Sequence, residues 1–200
     1  MAFETVKKNL EERGFRVSTF ATAAEAADYL NKEIDGKTVG FGGSVTLQQM
    51  GLYESLGMHN EMCWHWVCTP EEKAAKRIEE LTTQVFLTSA NGLAETGEIL
   101  NIDGIGNRVA ASLFGHEKVY FVIGRNKLAP TYYEALWRAR NIAAPLNAKK
   151  QGFKTPCAVK GDRCYNCKSP ERICRQLVVI WEPGLGMESE VVLIDEDLGF

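Results

Sequence analysis

Residues 37–57, KTVGFGGSVTLQQMGLYESLG, decide how the rest of the chain is read. A short apolar stretch ends on glycines, and a stretch with apolar residues at helical spacing follows at once. That is the profile of a strand turning through a tight loop into a helix, the repeating unit of a parallel sheet. Working outward finds the same alternation. Upstream, Phe3, Val6 and Leu10 recur at helical spacing, and Gly14 is placed to end that helix. FRVSTF (15–20) then reads as a strand and ATAAEAADYLNKEI (21–34) as an alanine-rich helix. Downstream, EMCWHWV (61–67), QVFLTS (84–89) and KVYFVIG (118–124) read as strands. Between and after them come a helix start at Thr69-Pro70-Glu71-Glu72, the helical stretch NRVAASLF (107–114) and the helix TYYEALWRARNIAA (131–144). The predicted fold is α/β, a mostly parallel sheet flanked by helices, in a single domain over residues 1–200.

Composition bounds the function classes. Hydrophobic residues make up 45% of the 200 and charged residues 24%, which excludes a disordered or fibrous chain. The longest apolar runs, VYFVIG and LVVIW, fall far short of a membrane span, and the first residues carry no apolar signal-peptide core. No membrane partner is expected, and the expected location is the cytoplasm, where thiols stay reduced.

After Pro145 the alternation breaks, and residues 146–175 read as a basic, cysteine-rich insertion. LVVIWEP (177–183) and EVVLIDEDLGF (190–200) follow as two strands expected to complete the sheet. The net charge of −3 hides a division: residues 149–175 hold eight basic residues against Asp162 and Glu171. The same segment holds four of the six cysteines, Cys157, Cys164, Cys167 and Cys174, spaced C-x6-C-x2-C-x6-C. Four thiolates can hold a four-iron, four-sulfur cluster or close a tetrahedral zinc site, and the surrounding positive charge favours the thiolate form. Iron–sulfur is the first reading and zinc the alternative. The acidity of the rest of the chain, with only Tyr165 interleaved among these cysteines, weighs against a nucleic-acid partner.

Two polar loops are candidate ligand sites. Gly40 to Thr46 lies between a strand and a helix, where exposed N–H groups and the hydroxyls of Ser44 and Thr46 favour a phosphate or carboxylate. It is neither a Walker loop nor a GxGxxG fingerprint, so no nucleotide cofactor is predicted. The bland reading is a tight turn with Ser44 capping the helix. Residues 88–108 are denser in glycine, asparagine and charge than a hairpin needs. Here Asn91, Asn101 and Asn107 are candidate ligand contacts. Glu95, Glu98 and Asp103 are candidate acids or bases, and Arg108 a candidate anion clamp. Glu95-Thr96-Gly97-Glu98 also reads as a plain hairpin turn. Cys63 and His65 share a strand face beside Cys68, but a buried cysteine and a core-edge histidine are the commoner outcome. His59 and His116 are isolated, and no Ser/His/Asp set can be assembled.

GFGGSVTLQQMGL, SANGLAETGEILNIDGIGNRVA, VIGRNKL and VVLIDEDLGF together resemble the lactate-utilisation (LUD) domain family, and PCAVKGDRCYNCKSPERIC resembles its cysteine-bearing subgroup. The resemblance covers nearly the whole chain. It implies a fold of the sugar-phosphate isomerase/CoA-transferase type and, from the better-known members, an accessory role in an iron–sulfur complex that oxidises L-lactate to pyruvate. The isomerases of that superfamily hold substrate on a similar glycine-serine loop, which makes Gly42, Gly43, Ser44 and Thr46 ligand contacts by likeness. An isomerase also needs a placed carboxylate, for which Glu95 or Asp103 is the nearby supply. The CoA-transferases carry Ser-Glu-Asn-Gly where this chain has Ser89-Ala90-Asn91-Gly92, and alanine cannot form the covalent thioester.

The expected function is an accessory or electron-transfer component of a system oxidising lactate or a related 2-hydroxy acid. Its expected partners are a small anionic metabolite and iron–sulfur oxidase subunits, and a homo-oligomer is compatible with the sequence. The alternatives are a stand-alone isomerase or transferase on a phosphorylated or acyl substrate, and a non-catalytic binding or assembly subunit.

Overall fold

The computed structural model describes residues 3–200. Its strands are β1 (Arg16–Phe20), β2 (Thr38–Phe41), β3 (Glu61–Cys63), β4 (Val85–Thr88), β5 (Gly92–Ala94), β6 (Ile99–Asp103), β7 (Lys118–Gly124), β8 (Leu128–Ala129), β9 (Gln176–Ile180) and β10 (Glu188–Ile194). The α-helices are α1 (Glu4–Glu12), α2 (Ala23–Glu33), α3 (Val45–Gln49), α4 (Leu52–Leu56), α5 (Lys73–Glu79), α6 (Asn107–Ala111), α7 (Tyr132–Arg138), α8 (Ala144–Lys150) and α9 (Pro156–Lys160). The main sheet has six strands in the order β1-β10-β7-β4-β2-β3, every pair parallel. A smaller sheet, β8-β5-β6-β9, stands beside it.

Strand alternation divides the core in two. Val119, Phe121 and Ile123 of β7, with Val191 and Leu193 of β10, point to the face covered by Val6 and Leu10 of α1. Tyr120, Val122, Val192 and Ile194 point to the other, against Leu30 of α2, Leu47 of α3 and Leu52 and Leu56 of α4. Thr22 fixes the start of α2 through a reciprocal capping box with Glu25. Among the described residues no helix is long and apolar enough to cross a membrane.

Several boundaries differ from the sequence reading. The helix expected over 44–57 is two short ones, because Gly51 takes a left-handed φ of 62° between them. The strand expected at 61–67 ends at Cys63, where Trp64 turns into the core. At Thr69–Glu72 the Glu72 carboxylate accepts from the Thr69 N–H and hydroxyl, and the helix begins only at Lys73. β10 enters the main sheet between β1 and β7, but β9 pairs antiparallel with β6 in the smaller sheet. A central parallel strand is buried on both faces, as β10 is, whereas β9 leaves Gln176 and Leu177 in solvent. Pro145 does not end its helix. A π turn over Ala139–Ala143 precedes it, a local widening that absorbs the missing N–H, and the helix runs on to Lys150.

At the amino end of the main sheet Glu190 is wholly buried. It pairs with Lys118 at 2.8 Å and accepts from Ser18 (2.6 Å) and Tyr29 (2.7 Å). Burial alone would raise its pKa, but Lys118, Ser18 and Tyr29 outweigh that and hold it below the ordinary carboxylate range. Its stabilising contribution is therefore complete above the unfolded value of about 4.3 and is lost as pH falls through the folded one. Glu190→Gln is expected to cost roughly 3 kcal/mol in urea unfolding at pH 7, the lower end for breaking a buried pair. The gap to the natural chain should narrow as pH drops below about 4. A gap unchanged at pH 3 would contradict this account.

Candidate functional site

At the carboxyl ends of β2, β4 and β7 the structure opens into a cleft of about 680 Å³, the place where open parallel sheets hold ligands. Its floor comes from Gly43 and Ser44 after β2, from Ser89, Ala90 and Asn91 after β4, and from Lys127 after β7. His65 and Trp66, which follow β3, line one side, and the loop 102–108 lines another. Residues 170–175 and Lys150 of α8 complete the outer wall. Seven Lys and Arg side chains line the cleft (Lys73, Arg77, Arg108, Lys127, Lys150, Arg172 and Arg175), against the carboxylates of Asp103 and Glu171. An excess of that size in a concave, partly desolvated site favours a multiply charged anion.

The glycines after β2 serve close approach. A methyl group on Gly42 would lie 2.8 Å from Arg108 Cγ and 3.0 Å from Thr88 Oγ1, and one on Gly43 would meet the Trp66 ring at 3.0 Å. Ser44 caps α3, its Oγ accepting from the Leu47 N–H. Thr46 is fully buried behind the floor.

Arg108 does not act as the direct anion clamp expected from the sequence. Its Nη1 donates to Asn101 Oδ1 and the Ser89 carbonyl, its Nη2 to Asn91 Oδ1 and the Ile102 carbonyl, and its Nε pairs with Asp103 Oδ2. All five donors are taken, so Arg108 offers the ligand its charge and holds the wall in place. Burial lowers its pKa, and Asp103 opposes that shift. Asp103 is likewise committed, since Oδ1 accepts from the N–H groups of Gly104, Ile105 and Gly106. Its oxygens shape the loop and are not free for acid–base work. Glu95 is not in the cleft. It lies in the β5–β6 turn, where its carbonyl accepts from Asn9 of α1, and neighbouring Glu98 pairs with Arg13. Asn91 and Asn107 line the cleft, whereas Asn101 is buried behind Arg108. Asn107 reaches Glu80 Oε2 at 3.4 Å.

Two features carry more chemistry than the sequence reading gave them. His65, read as a core-edge histidine, lines the cleft. Its Nδ1 and its backbone N–H both lie 2.6 Å from Oε1 of buried Glu80. A carboxylate on Nδ1 fixes the ring and its tautomer, leaving Nε2 without a partner among the described residues and placed as a proton acceptor. Lys127 is only 4% exposed, and its Nζ lies 2.7 Å from Thr46 Oγ1 and 2.8 Å from Ser89 Oγ. Burial, then the like charges of Arg138 and Arg108, push its pKa well below the ordinary lysine value. The only sequence signal for it was position, three residues past the end of a buried strand. Cys63 faces α5, its Sγ 3.6 Å from the Lys76 carbonyl, and burial raises its thiol to about 12. It is an inert core thiol. His59 and His116 lie away from the cleft, held by Asp35 and by the Thr83 carbonyl.

The four flap cysteines are free thiols of intermediate exposure. Cys157 lies beside Thr155 Oγ1 (3.3 Å), and Cys164 Sγ accepts from the Asn166 N–H (3.3 Å), with Arg140 Nη2 at 3.8 Å. Arg172 bridges the carbonyls of Cys167 and Cys174. Four thiols, a donor to sulfur and nearby guanidinium groups suit a cluster or zinc in chemistry. In geometry they are not gathered: among the described residues no three His, Cys, Asp or Glu side chains converge to hold a metal ion. The flap is nonetheless continuous with the cleft. The Arg175 N–H donates to the Asp103 carbonyl (2.9 Å), and a methyl group on Gly104 would lie 2.7 Å from the Ile173 carbonyl.

A family model described as the LUD domain matches residues 3–194, a span that includes every cleft and flap residue named above. Among solved structures, a crystal structure of a DUF162 family protein from Deinococcus radiodurans is similar with a TM-score of 0.56. The match covers 96% of each chain at 14% sequence identity, a likeness of fold. No curated protein matches.

The packing of Gly42 makes a direct test. Gly42→Ala should displace Arg108 and destabilise the chain by about 1–3 kcal/mol in thermal or urea unfolding, the usual range for overpacking. An unchanged midpoint would mean that Arg108 does not depend on the close approach of this loop.

Proposed function

The chain belongs to the LUD domain family, and on that premise we propose that it binds a small, multiply charged anion in the cationic cleft as a component of a system oxidising lactate or a related 2-hydroxy acid. The observation that carries this reading is the cleft itself, with six cationic side chains besides Lys127 against two side-chain carboxylates at the end of the sheet where open parallel sheets hold ligands. Its volume lies in the range of small-molecule sites. Arg77, Lys150, Arg172 and the side-chain amide of Asn91 supply contacts to the anion. His65, oriented by Glu80, is the group placed to take a proton from the bound molecule at Nε2.

The same proposal gives the flap its part. Cys157, Cys164, Cys167 and Cys174 hold a four-iron, four-sulfur cluster, or zinc as the alternative. A cluster would supply one-electron transfer to oxidase subunits, and zinc would fix the flap. A second reading, a stand-alone isomerase on a phosphorylated substrate, is favoured by the His65–Glu80 pair and is told apart by turnover of the isolated chain. Covalent CoA transfer finds no support, because Ala90 stands in the cleft wall without a carboxylate.

Inorganic phosphate should raise the melting temperature, and the rise should shrink as neutral salt is added. Arg77→Gln or Lys150→Gln should weaken phosphate binding about tenfold, the loss of one charge-assisted contact. Unchanged stabilisation in both would place the anion elsewhere. Anaerobic purification should yield iron with acid-labile sulfide, or stoichiometric zinc, and Cys164→Ser should lower it. A metal-free protein with four freely titrating thiols would overturn the flap assignment and leave the cleft assignment standing.

A further inference from the structure

We propose that Lys127 is a nucleophilic amine, and that the anion held in the cleft carries a carbonyl group with which this amine forms an imine. This rests on the reading of the cleft as an anion site and adds the substrate class. Hydrogen placement around Nζ supports it. The Ser89 hydroxyl donates to the Val122 carbonyl (2.5 Å), and the Thr46 hydroxyl donates to the Leu198 carbonyl (3.3 Å). Each hydroxyl has one proton, so toward Lys127 both oxygens can only accept. Two N–H groups of the amine are thereby fixed, one on Thr46 and one on Ser89. The third position on nitrogen has no partner among the described residues, and Lys127 forms part of the cleft wall.

A charged ammonium ion is poorly served there. Among the described residues no side-chain carboxylate pairs with Nζ, and the charges that act on it, Arg138 and Arg108, have the same sign. Burial and those charges favour the neutral amine, whose two hydrogens match the two acceptors and whose lone pair occupies the third position. Desolvation beside another cation is an established way to make a lysine nucleophilic at neutral pH. The cationic lining selects a carbonyl compound that also carries carboxylate or phosphate.

In the step itself the lone pair attacks the carbonyl carbon, and the C=O π pair moves to oxygen. That oxygen takes one proton from nitrogen to give the carbinolamine. The C–O bond then breaks and the C=N bond forms. The carbonyl oxygen and the two amine hydrogens depart together as one water, and nothing is oxidised or reduced. Protonation of the imine nitrogen restores an N–H for Thr46 or Ser89.

The test uses the full chain with two probes, pyruvate for the carboxylate class and dihydroxyacetone phosphate for the phosphate class. Each is trapped with sodium borohydride, and the adduct is located by peptide mass mapping. The expected result is about one adduct per chain on Lys127, at least tenfold greater with one probe than the other and suppressed by inorganic phosphate. Lys127→Met, with its fold checked by circular dichroism, should lose that adduct and keep the background labelling of surface lysines. No adduct on Lys127 with either probe, or an equal total yield in Lys127→Met, overturns the proposal. If phosphate still raises the melting temperature of the same preparation, only the imine is overturned. If it does not, the anion-site reading falls as well.

Discussion

Lys127 and Arg138 are buried and Arg108 largely so at the carboxyl end of the sheet, and among the described residues one side-chain carboxylate, that of Asp103, is within ion-pair reach of them. Burying cations without counter-charges is costly unless every donor finds an acceptor. The structure meets that demand mostly with neutral oxygens. Arg108 uses five acceptors drawn from β6 and from the loop between β4 and β5. Arg138 donates to the carbonyls of Asn126 and Asn91 and to the main-chain oxygen of Phe200, and burial pushes its pKa down to about 10. Lys127 uses two hydroxyls. These donors tie together loops that are distant in sequence, so the charge of the site and the shape of the site have one cause. Groups perturbed in this way cluster at functional sites.

The cysteine flap shares that geometry. Ile173 packs on Gly104, the Arg175 N–H bonds the Asp103 carbonyl, and Arg172 both braces the cysteine carbonyls and lines the cleft. The four sulfurs do not converge in this structure. Arg172 and Ile173 lie between Cys164 and Cys174, so the stretch that carries three of the cysteines also forms part of the cleft wall.

The parts of the fold legible in the sequence were those with a strong period. The β7 stretch KVYFVIG and the β10 stretch after Glu190 are buried on both faces, and their continuous apolar runs marked both as strands of the sheet. Pro145 misled because a π turn, invisible to a pattern reading, lets the helix pass it. β9 misled because its apolar run looks like that of β10 until the exposure of Gln176 and Leu177 is seen. In the site, residue type pointed to the right loops but not to the right roles. Asp103 and Arg108 are polar because they must hold a buried turn, and nothing in the sequence separates that use from catalysis. His65 owes its position to Glu80, fifteen residues away, and the nearness of Lys127 to Thr46 and Ser89 depends on the order of β2, β4 and β7 in the sheet.

The uneven charge seen in the sequence also gains a location. The basic excess of residues 149–175 first read as an offset for thiolates. The structure divides it: Arg172, Arg175 and Lys150 face the cleft, where Lys73 and Arg77 join them from α5. Lys160 and Arg163 instead stack on Tyr165 within the flap. Lys149, Lys154 and Lys168 do not line the cleft, and Arg140, outside the segment, is the guanidinium beside the Cys164 sulfur. Part of the positive charge of this segment thus belongs to the cleft wall, so the flap helps to set the charge of the cleft.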